Sequence, residues 1–152
     1  MAILPVNYLD AHGNDVGDTI NAYPCVRLSM SFREVFDSAG NQKDLEDVFP
    51  IVAVIDTGAQ ISSIMIDCVP SWAAPEASVG SIGITGTGIS HIHRACIWVA
   101  EAKWIASGVL FGTMPRMNDV PFDVILGREF LQNTNFDYDG RRGITWLELP
   151  VR

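Results

Sequence analysis

Alternating apolar and polar residues mark the first regular stretch of the chain. Val26, Leu28, Met30 and Phe32 are apolar, whereas the residues between them are polar. A period of two places the apolar side chains on one face of an extended backbone. These residues are therefore predicted to form a strand with one buried face and one face toward water.

Continuous apolar runs indicate strands that are buried on both faces. Residues 50–55 contain the longest such run and predict a central strand. Residues 61–66 are again apolar and β-branched, and residues 123–127 predict another buried strand, which ends at a glycine. Residues 128–132 are predicted to form a short helix.

Two hairpins are indicated by turn residues between strand-like segments. Residues 80–88 are dense in glycine, and their flanking strands, which continue through residues 95–100, predict a long hairpin with a flexible tip. Residues 136–139 and 144–149 predict a closing hairpin around a turn of two glycines and two arginines. A short strand is expected at residues 109–111.

The segments outside these elements complete the predicted organisation. Residues 1–22 are rich in asparagine, aspartate and glycine and are predicted to be an irregular N-terminal arm. Residues 23–152 are predicted to form one domain, in which strands dominate and one short helix lies toward the C-terminus. The predicted fold class is all-β, with a closed or barrel-like sheet.

Composition and charge exclude several classes of partner. Hydrophobic residues make up 48% and charged residues 18% of the 152 residues, which is typical of a globular chain. The net charge of −8 argues against a nucleic-acid partner, because phosphate binding needs a basic face. No apolar run reaches about 18 residues, so we expect no membrane span. The first residues lack a basic start and a long apolar segment, so we expect a cytoplasmic protein.

Cysteines and histidines suggest no metal site. Cys25, Cys68 and Cys96 are odd in number and match no zinc-binding spacing, so buried or half-buried thiols are expected. His91 and His93 alternate along a predicted strand without an evident third ligand, so a solvated strand face is expected there. No metal and no organic cofactor are predicted.

The residues with the clearest chemical meaning follow the central strand directly. Asp56, Thr57 and Gly58 come immediately after its last apolar residue. By itself such a tripeptide is most often a turn that begins with an aspartate. Its place at the end of a wholly apolar strand, where a turn aspartate would not normally lie, favours a functional carboxylate. Ser62 and Ser63 are weaker candidates as nucleophiles, because no Gly-x-Ser-x-Gly elbow surrounds them.

Three motifs then occur in one order along the chain. An apolar strand leads into Asp-Thr-Gly-Ala at residues 56–59, a glycine-rich hairpin follows at residues 83–88, and Ile-Leu-Gly-Arg stands at residues 125–128. In this order and at about this spacing, residues 24–149 resemble the retropepsins, the retroviral-type aspartic proteases. The resemblance implies an acid-protease β-barrel with one short C-terminal helix, which works as a dimer, and it makes residues 23–152 the protease domain.

The resemblance also implies a reaction that uses two carboxyl groups. Two carboxyls held close together cannot both ionise, so they share one proton. The ionised carboxylate acts as a base toward water, and the protonated carboxyl polarises the scissile carbonyl. Because Asp-Thr-Gly occurs once in this chain, the second Asp56 is expected to come from an identical subunit across a two-fold axis.

Further site residues follow from the matching motifs. Asp56 would be catalytic, and its loop would be supported by Thr57, Gly58 and Ala59. The hairpin would act as a flap over an extended peptide, through Ile82, Gly83, Ile84, Thr85, Gly86, Thr87 and Gly88. Gly127 and Arg128 would serve the structure and the dimer. Because Gln60 replaces an acid that the family usually has there, Arg128 would bond Gln60, a backbone carbonyl or Asp67.

The predicted function is that of an aspartic endopeptidase, a homodimer acting on extended peptide or protein substrates. The alternative is a catalytically silent dimer that uses the same groove to bind peptides or to scaffold a partner, since a fold does not determine a function. The intact Asp-Thr-Gly favours the enzyme.

Overall fold

The structure, a computed structural model, describes residues 2–83, 86–139, 141–142 and 144–150. Within these residues the chain is mostly β-structure, with one short α-helix and a single 3-10 turn at Ile66–Cys68. The elements, in chain order, are β1 (Ala2–Pro5), β2 (Asn7–Leu9), β3 (Tyr23–Ser31), β4 (Phe49–Ile55), β5 (Ser63–Met65), β6 (Ala77–Gly83), β7 (Gly86–Val99), β8 (Trp104–Met114), β9 (Val124–Leu126), α1 (Arg128–Leu131), β10 (Asn135–Asp139) and β11 (Ile144–Leu149).

The larger sheet closes on itself and confirms the predicted barrel-like class. Its strand order is β2-β3-β4-β9-β5-β8-β7-β6, and β3 also pairs with β7. The closing contact joins Ser29 to Trp98, Met30 to Ile97 and Ser31 to Cys96. A closed sheet leaves fewer unpaired backbone groups than an open one. β2 and β6 extend beyond the ring.

The barrel interior is filled by the apolar faces that the sequence pattern indicates. Val26 and Met30 of β3 are fully buried, as are Ala53 of β4 and Phe111 of β8. β4 lies between β3 and β9 as a central strand, which confirms the prediction for residues 50–55. It runs parallel to β9, with Ile55 beside Leu126. The residues that follow these two strands therefore emerge at the same end of the barrel.

A second sheet of three strands packs on the same core. Its order is β1-β11-β10, and β10 and β11 form the predicted C-terminal hairpin. Leu4 of β1 lies opposite Leu147 of β11, and both side chains are buried in the main apolar cluster. The chain ends are thus joined to one another and to the barrel.

The N-terminal segment differs from the predicted irregular arm. β1 pairs with β11 and β2 pairs with β3, so the prediction is wrong for these two stretches, while residues 10–22 contain only turns, bends and an isolated bridge. β1 and β2 are too short for alternation to be visible, and their partners are distant in the chain. The predicted strand at residues 109–111 is also longer, because pairing with β7 extends β8 to Trp104–Met114.

None of the helices in the described ranges is long and apolar enough to cross a membrane.

Candidate active site

Asp56 lies at the end of β4, where a buried strand reaches the surface. Ala53, Val54 and Ile55 are buried, whereas Asp56 and the next two residues are exposed. The main-chain N–H of Asp56 donates to the carbonyl of Leu126 at 3.1 Å, which continues the pairing of β4 with β9 by one residue. The carboxyl group is therefore carried into solvent on a backbone that is still part of the sheet.

A tight turn orients the carboxyl group of Asp56. Its Oδ1 atom accepts a hydrogen bond from the N–H of Gly58 at 2.8 Å, and its carbonyl accepts one from the N–H of Ala59 at 3.2 Å. A Cβ atom on Gly58 would lie 3.1 Å from the same Oδ1, which favours glycine there. Within the described part of the chain, Oδ2 has no hydrogen-bond partner, so this oxygen is available to a water, a substrate or another carboxyl group.

The first turn of α1 supports the loop from the side of the barrel. The N–H of Arg128 donates to the carbonyl of Ala59 at 2.9 Å, and the N–H of Glu129 donates to the carbonyl of Gln60 at 3.2 Å. The first N–H groups of a helix have no partner inside the helix, so these bonds satisfy them. The loop after Asp56 is thereby attached to the segment that follows β9.

Gly127 is required by the closeness of this attachment. A Cβ atom at this position would lie 2.5 Å from the carbonyl oxygen of Ile61 and 3.0 Å from that of Ala59. Both contacts are with backbone atoms, which cannot rotate away. Gly127 thus allows the two chain segments to pack directly against each other.

Ser62 and Glu129 complete this support, and the sequence did not assign either residue to it. The Ser62 side chain is fully buried, and its Oγ accepts the N–H of Gly127 at 3.1 Å. The N–H of Ser62 donates to Oε1 of Glu129 at 3.4 Å. The sequence feature that could have identified Ser62 is its place inside an apolar run, because a hydroxyl buried there needs a hydrogen-bond partner within the protein. Ser62 is therefore not available as a nucleophile, because its buried hydroxyl bonds the main chain of Gly127.

Among the described residues, the Arg128 side chain makes none of the bonds expected of it with Gln60, a backbone carbonyl or Asp67; only its main-chain N–H bonds a carbonyl, that of Ala59. The side chain of Arg128 has no hydrogen bond or ion pair with any residue that the structure describes. Asp67 is instead bound by Arg116, whose guanidinium lies 2.7 Å from Asp67 and 3.0 Å from Asp123. Arg116 lowers the pKa of the Asp67 carboxyl through these hydrogen bonds. This cluster joins the loop before β9 to the 3-10 turn after β5.

The predicted long hairpin is formed by β6 and β7. Their register runs from Ala77 opposite Ile92 to Gly83 opposite Gly86. The paired strands near the end of the hairpin therefore include five of the predicted flap residues, Ile82, Gly83, Gly86, Thr87 and Gly88. The other two, at positions 84 and 85, lie outside the described residues. At the other end, an ion pair of 2.6 Å between Arg94 and Glu76 links β7 to the residue before β6. The role of this hairpin as a flap stays a prediction.

The two histidines of β7 have different surroundings, contrary to the expected solvated face. His91 is exposed, and its Nδ1 lies 2.8 Å from the hydroxyl of Ser78. His93 is buried at 6% exposure, packs edge-on against Phe32, and its Nδ1 has no partner among the described residues. The expectation is wrong for His93 because β7 passes from the hairpin into the barrel between these positions. Burial lowers the pKa of His93.

No cluster of three or more potential metal ligands occurs in the described ranges. The cysteines are free thiols, as expected: Cys25 and Cys96 are buried, and Cys68 is half-buried. Burial raises the pKa of Cys25 to about 12 and that of Cys96 to about 11, so both are uncharged at neutral pH. These thiols have the character of small apolar core residues.

Comparison with known proteins agrees with this arrangement. The family model described as retroviral aspartyl protease matches residues 21–137, and no match to a curated protein reaches significance. The matched region is well over half of the 152 residues and contains the Asp56 loop, the hairpin of β6 and β7, and Gly127. On this match and on the barrel that carries Asp56, the chain belongs to the retroviral aspartyl protease family.

Proposed function

We propose that this protein is an aspartic endopeptidase, which hydrolyses extended peptides as a homodimer. The observation that carries the proposal is the Asp56 carboxyl, which is exposed, fixed through one oxygen by Gly58, and held on a loop supported by Gly127 and α1. The second oxygen, Oδ2, is left open toward solvent at the end of a buried strand, where a water and a substrate can reach it. Membership of the protease family supports the same reading.

In the proposed reaction, the Asp56 carboxyls of two subunits share one proton. The ionised carboxylate takes a proton from a water, which attacks the scissile carbonyl, while the protonated carboxyl gives its proton to the carbonyl oxygen. The C–N bond of the resulting tetrahedral diol then breaks, as the carboxyl that holds the water's proton gives it to the amine nitrogen and the other carboxylate takes a proton back from a diol hydroxyl. The rigid support of the loop is useful because the reacting groups must be held within a few tenths of an ångström. The hairpin of β6 and β7 would close over the substrate through its glycine-rich end.

The proposal is tested by replacing Asp56 with Asn and digesting a peptide library across a range of pH. Asp56→Asn keeps the size and polarity of the side chain but removes the ionisable carboxyl that acts as base and acid, so the cleavage rate should fall by at least about 100-fold. Asp37→Asn is a matched control, because Asp37 also accepts a main-chain N–H two residues ahead, from Ala39 at 2.9 Å. Its cleavage rate should equal that of the wild type.

Two outcomes would overturn the proposal. Cleavage by Asp56→Asn at the wild-type rate would show that the carboxyl is not used. Peptide binding by the wild type without cleavage at any pH would favour the catalytically silent dimer. Circular dichroism of each variant checks that the fold is retained.

A further inference from the structure

One edge of β8 is paired only near its C-terminal end. β7 pairs with β8 from Trp104 to Gly112, whereas β5 pairs with the other edge only at positions 112–114. Among the described residues, no strand lies beside that second edge between positions 104 and 111. Unpaired strand edges offer backbone N–H and C=O groups to another chain.

A groove of about 280 Å³ lies against this free edge and has a second wall. This β8 groove is lined by residues 104 and 106–110 of β8, by residues 129, 130 and 132–134 in and after α1, and by Pro150. Strands β1, β2, β6 and β10 also leave an edge unpaired, but none of their residues lines the groove. The second wall gives the β8 edge a shape that can select a ligand, which a bare edge lacks.

The β8 wall of the groove contains a β-bulge. The register of β7 and β8 shifts between Ala95 and Ile97, so Ser107 and Gly108 stand opposite Cys96 alone. Gly108 has a φ of 70°, a left-handed conformation that glycine adopts without strain. A bulge leaves its extra residue outside the ladder and bends the strand. Backbone groups at this point of the groove are therefore not all used by β7, and they can bond a ligand.

Glu129 gives the groove its charge. It is the one ionisable side chain among the groove-lining residues, and no cation is paired with it in the described part of the chain. Trp104, Leu110 and Phe130 supply apolar surface to the same groove. A ligand that matches this lining has a basic side chain next to apolar ones. The net charge of −8 favours the approach of such a ligand.

An extended peptide is the ligand that fits both the free edge and the lining. Its main chain would bond the edge of β8, and its alternate side chains would project toward the walls, as in strand addition. The volume is near the lower end of ligand pockets, which span roughly 300–1,000 Å³, so a short segment fills it. None of residues 56–59 lines the groove, so this segment lies outside the proposed site of hydrolysis.

The β8 groove adjoins the support of the Asp56 loop through Glu129. The N–H of Glu129 donates to the carbonyl of Gln60 at 3.2 Å, and its Oε1 accepts the N–H of Ser62 at 3.4 Å. A basic side chain bound at Glu129 is therefore in contact with the residue that holds the loop after Asp56. Occupancy of the groove is thereby connected to the position of the Asp56 carboxyl.

We propose that the β8 groove is a second peptide-binding site, which takes an extended segment of a protein substrate that carries a basic side chain. The segment adds as a strand to β8, and its basic side chain pairs with Glu129. This binding site goes beyond the proposed function, because it lies apart from Asp56. That the segment belongs to a substrate rests on the proposed function.

The first test adds an end-blocked heptapeptide of alternating valine and lysine to the Asp56→Asn protein, which should not cleave it, and follows the indole N–H signals by NMR. The Trp104 indole N–H donates to the carbonyl of Pro150 at 2.9 Å within the groove, whereas that of Trp146 donates to Asp137 outside it. The Trp104 signal should shift saturably, and the Trp146 signal should not move. A Trp104 signal that stays in place at millimolar peptide would overturn the inference.

The second test reverses the charge in the groove, again in the Asp56→Asn protein. The lysine peptide should bind at least about 10-fold more tightly than a glutamate peptide of the same pattern, because its cation pairs with Glu129. Glu129→Lys should reverse this preference. Asp44→Lys makes the same change of net charge at an exposed position outside the groove and should preserve the preference. Equal effects of the two substitutions, in variants shown by circular dichroism to be folded, would contradict the inference.

Hydrogen exchange gives a measurement that needs no substitution in the groove. The amides of residues 104–110 that are not bonded to β7 should become protected when the lysine peptide is added. Absence of this protection would sink the inference and leave the proposed function standing. Protection that instead appears with rising protein concentration, without peptide, would assign the groove to a second copy and also sink it. A wild-type protein that binds the peptide in the groove but cleaves no peptide would support the second binding site and overturn the proposed function.

Discussion

Gly127 is the residue at which the structure constrains substitution most directly. Its neighbours on the loop side are the backbone carbonyls of Ile61 and Ala59, so even one added methyl group has no space. The same position donates its N–H to the buried Ser62 hydroxyl. Gly127 therefore links the stability of the barrel end to the position of Asp56.

We expect Gly127→Ala to destabilise the protein by about 1–3 kcal/mol, because overpacking against backbone forces the chain to move. Urea unfolding at one fixed protein concentration measures this change. Gly80→Ala is the control, since a Cβ atom there would meet nothing within 4 Å. If both substitutions have the same small effect, the close packing at Gly127 is not required.

Among the secondary-structure elements, β7 has the most varied surroundings. It is 14 residues long, and it pairs with β6 in the hairpin, with β8 in the barrel and with β3 at the closure of the ring. His93 lies where the strand enters the barrel, opposite Phe111. A strand that leaves one environment for another carries both exposed and buried polar residues on one face.

The burial of His93 predicts a loss of stability on acidification. Its pKa in the folded protein is lowered from 6.5 by burial and by nearby His91, so the unfolded chain binds the proton more readily. The stabilisation of the folded protein by neutral His93 is complete above pH 6.5. It is lost as the pH falls below that value, until His93 also protonates in the folded state.

His93→Phe should remove this dependence, because phenylalanine does not titrate and packs with Phe32. The free energy of unfolding of the variant, relative to wild type, should increase from pH 7 to pH 5 when both are measured in urea. If the difference in free energy of unfolding between His93→Phe and wild type is the same at pH 7 and pH 5, the prediction is contradicted.

For the whole molecule, the net negative charge opposes formation of the proposed homodimer. Each chain has a net charge of −8 at pH 7, so two copies repel at long range, whereas the contacts of the proposed homodimer attract only at short range. Salt screens the repulsion, since the Debye length falls from about 10 Å at 0.1 M to about 3 Å at 1 M.

The dimer dissociation constant should therefore decrease severalfold between 0.05 and 0.5 M NaCl at pH 7. Sedimentation equilibrium at both salt concentrations measures it. Near pH 4.6, where the net charge approaches zero, the same salt step should have a small effect. An increase of the constant with salt at pH 7 would instead indicate attractive ion pairs across the interface.

Much of the local structure was predictable, because it depends on residues close together in the chain. The alternation of Val26 to Phe32 indicated β3, the run before Asp56 indicated β4, and glycines marked both hairpins. Each of these signals reports which faces of a strand are buried or where the backbone must turn. Asp56 was likewise identified from its place after an apolar strand.

The sequence by itself thus determined the strand-rich class, the two hairpins and Asp56 as the candidate catalytic group. Only the tertiary structure showed that β1 and β2 are strands, that β3 meets β7, that Ser62 and Glu129 support the Asp56 loop, and that β10 is left at an edge. These features join residues up to 147 positions apart, as between Ala2 and Leu149. Pairing over such distances depends on how the whole core packs, and no short stretch of sequence contains that information.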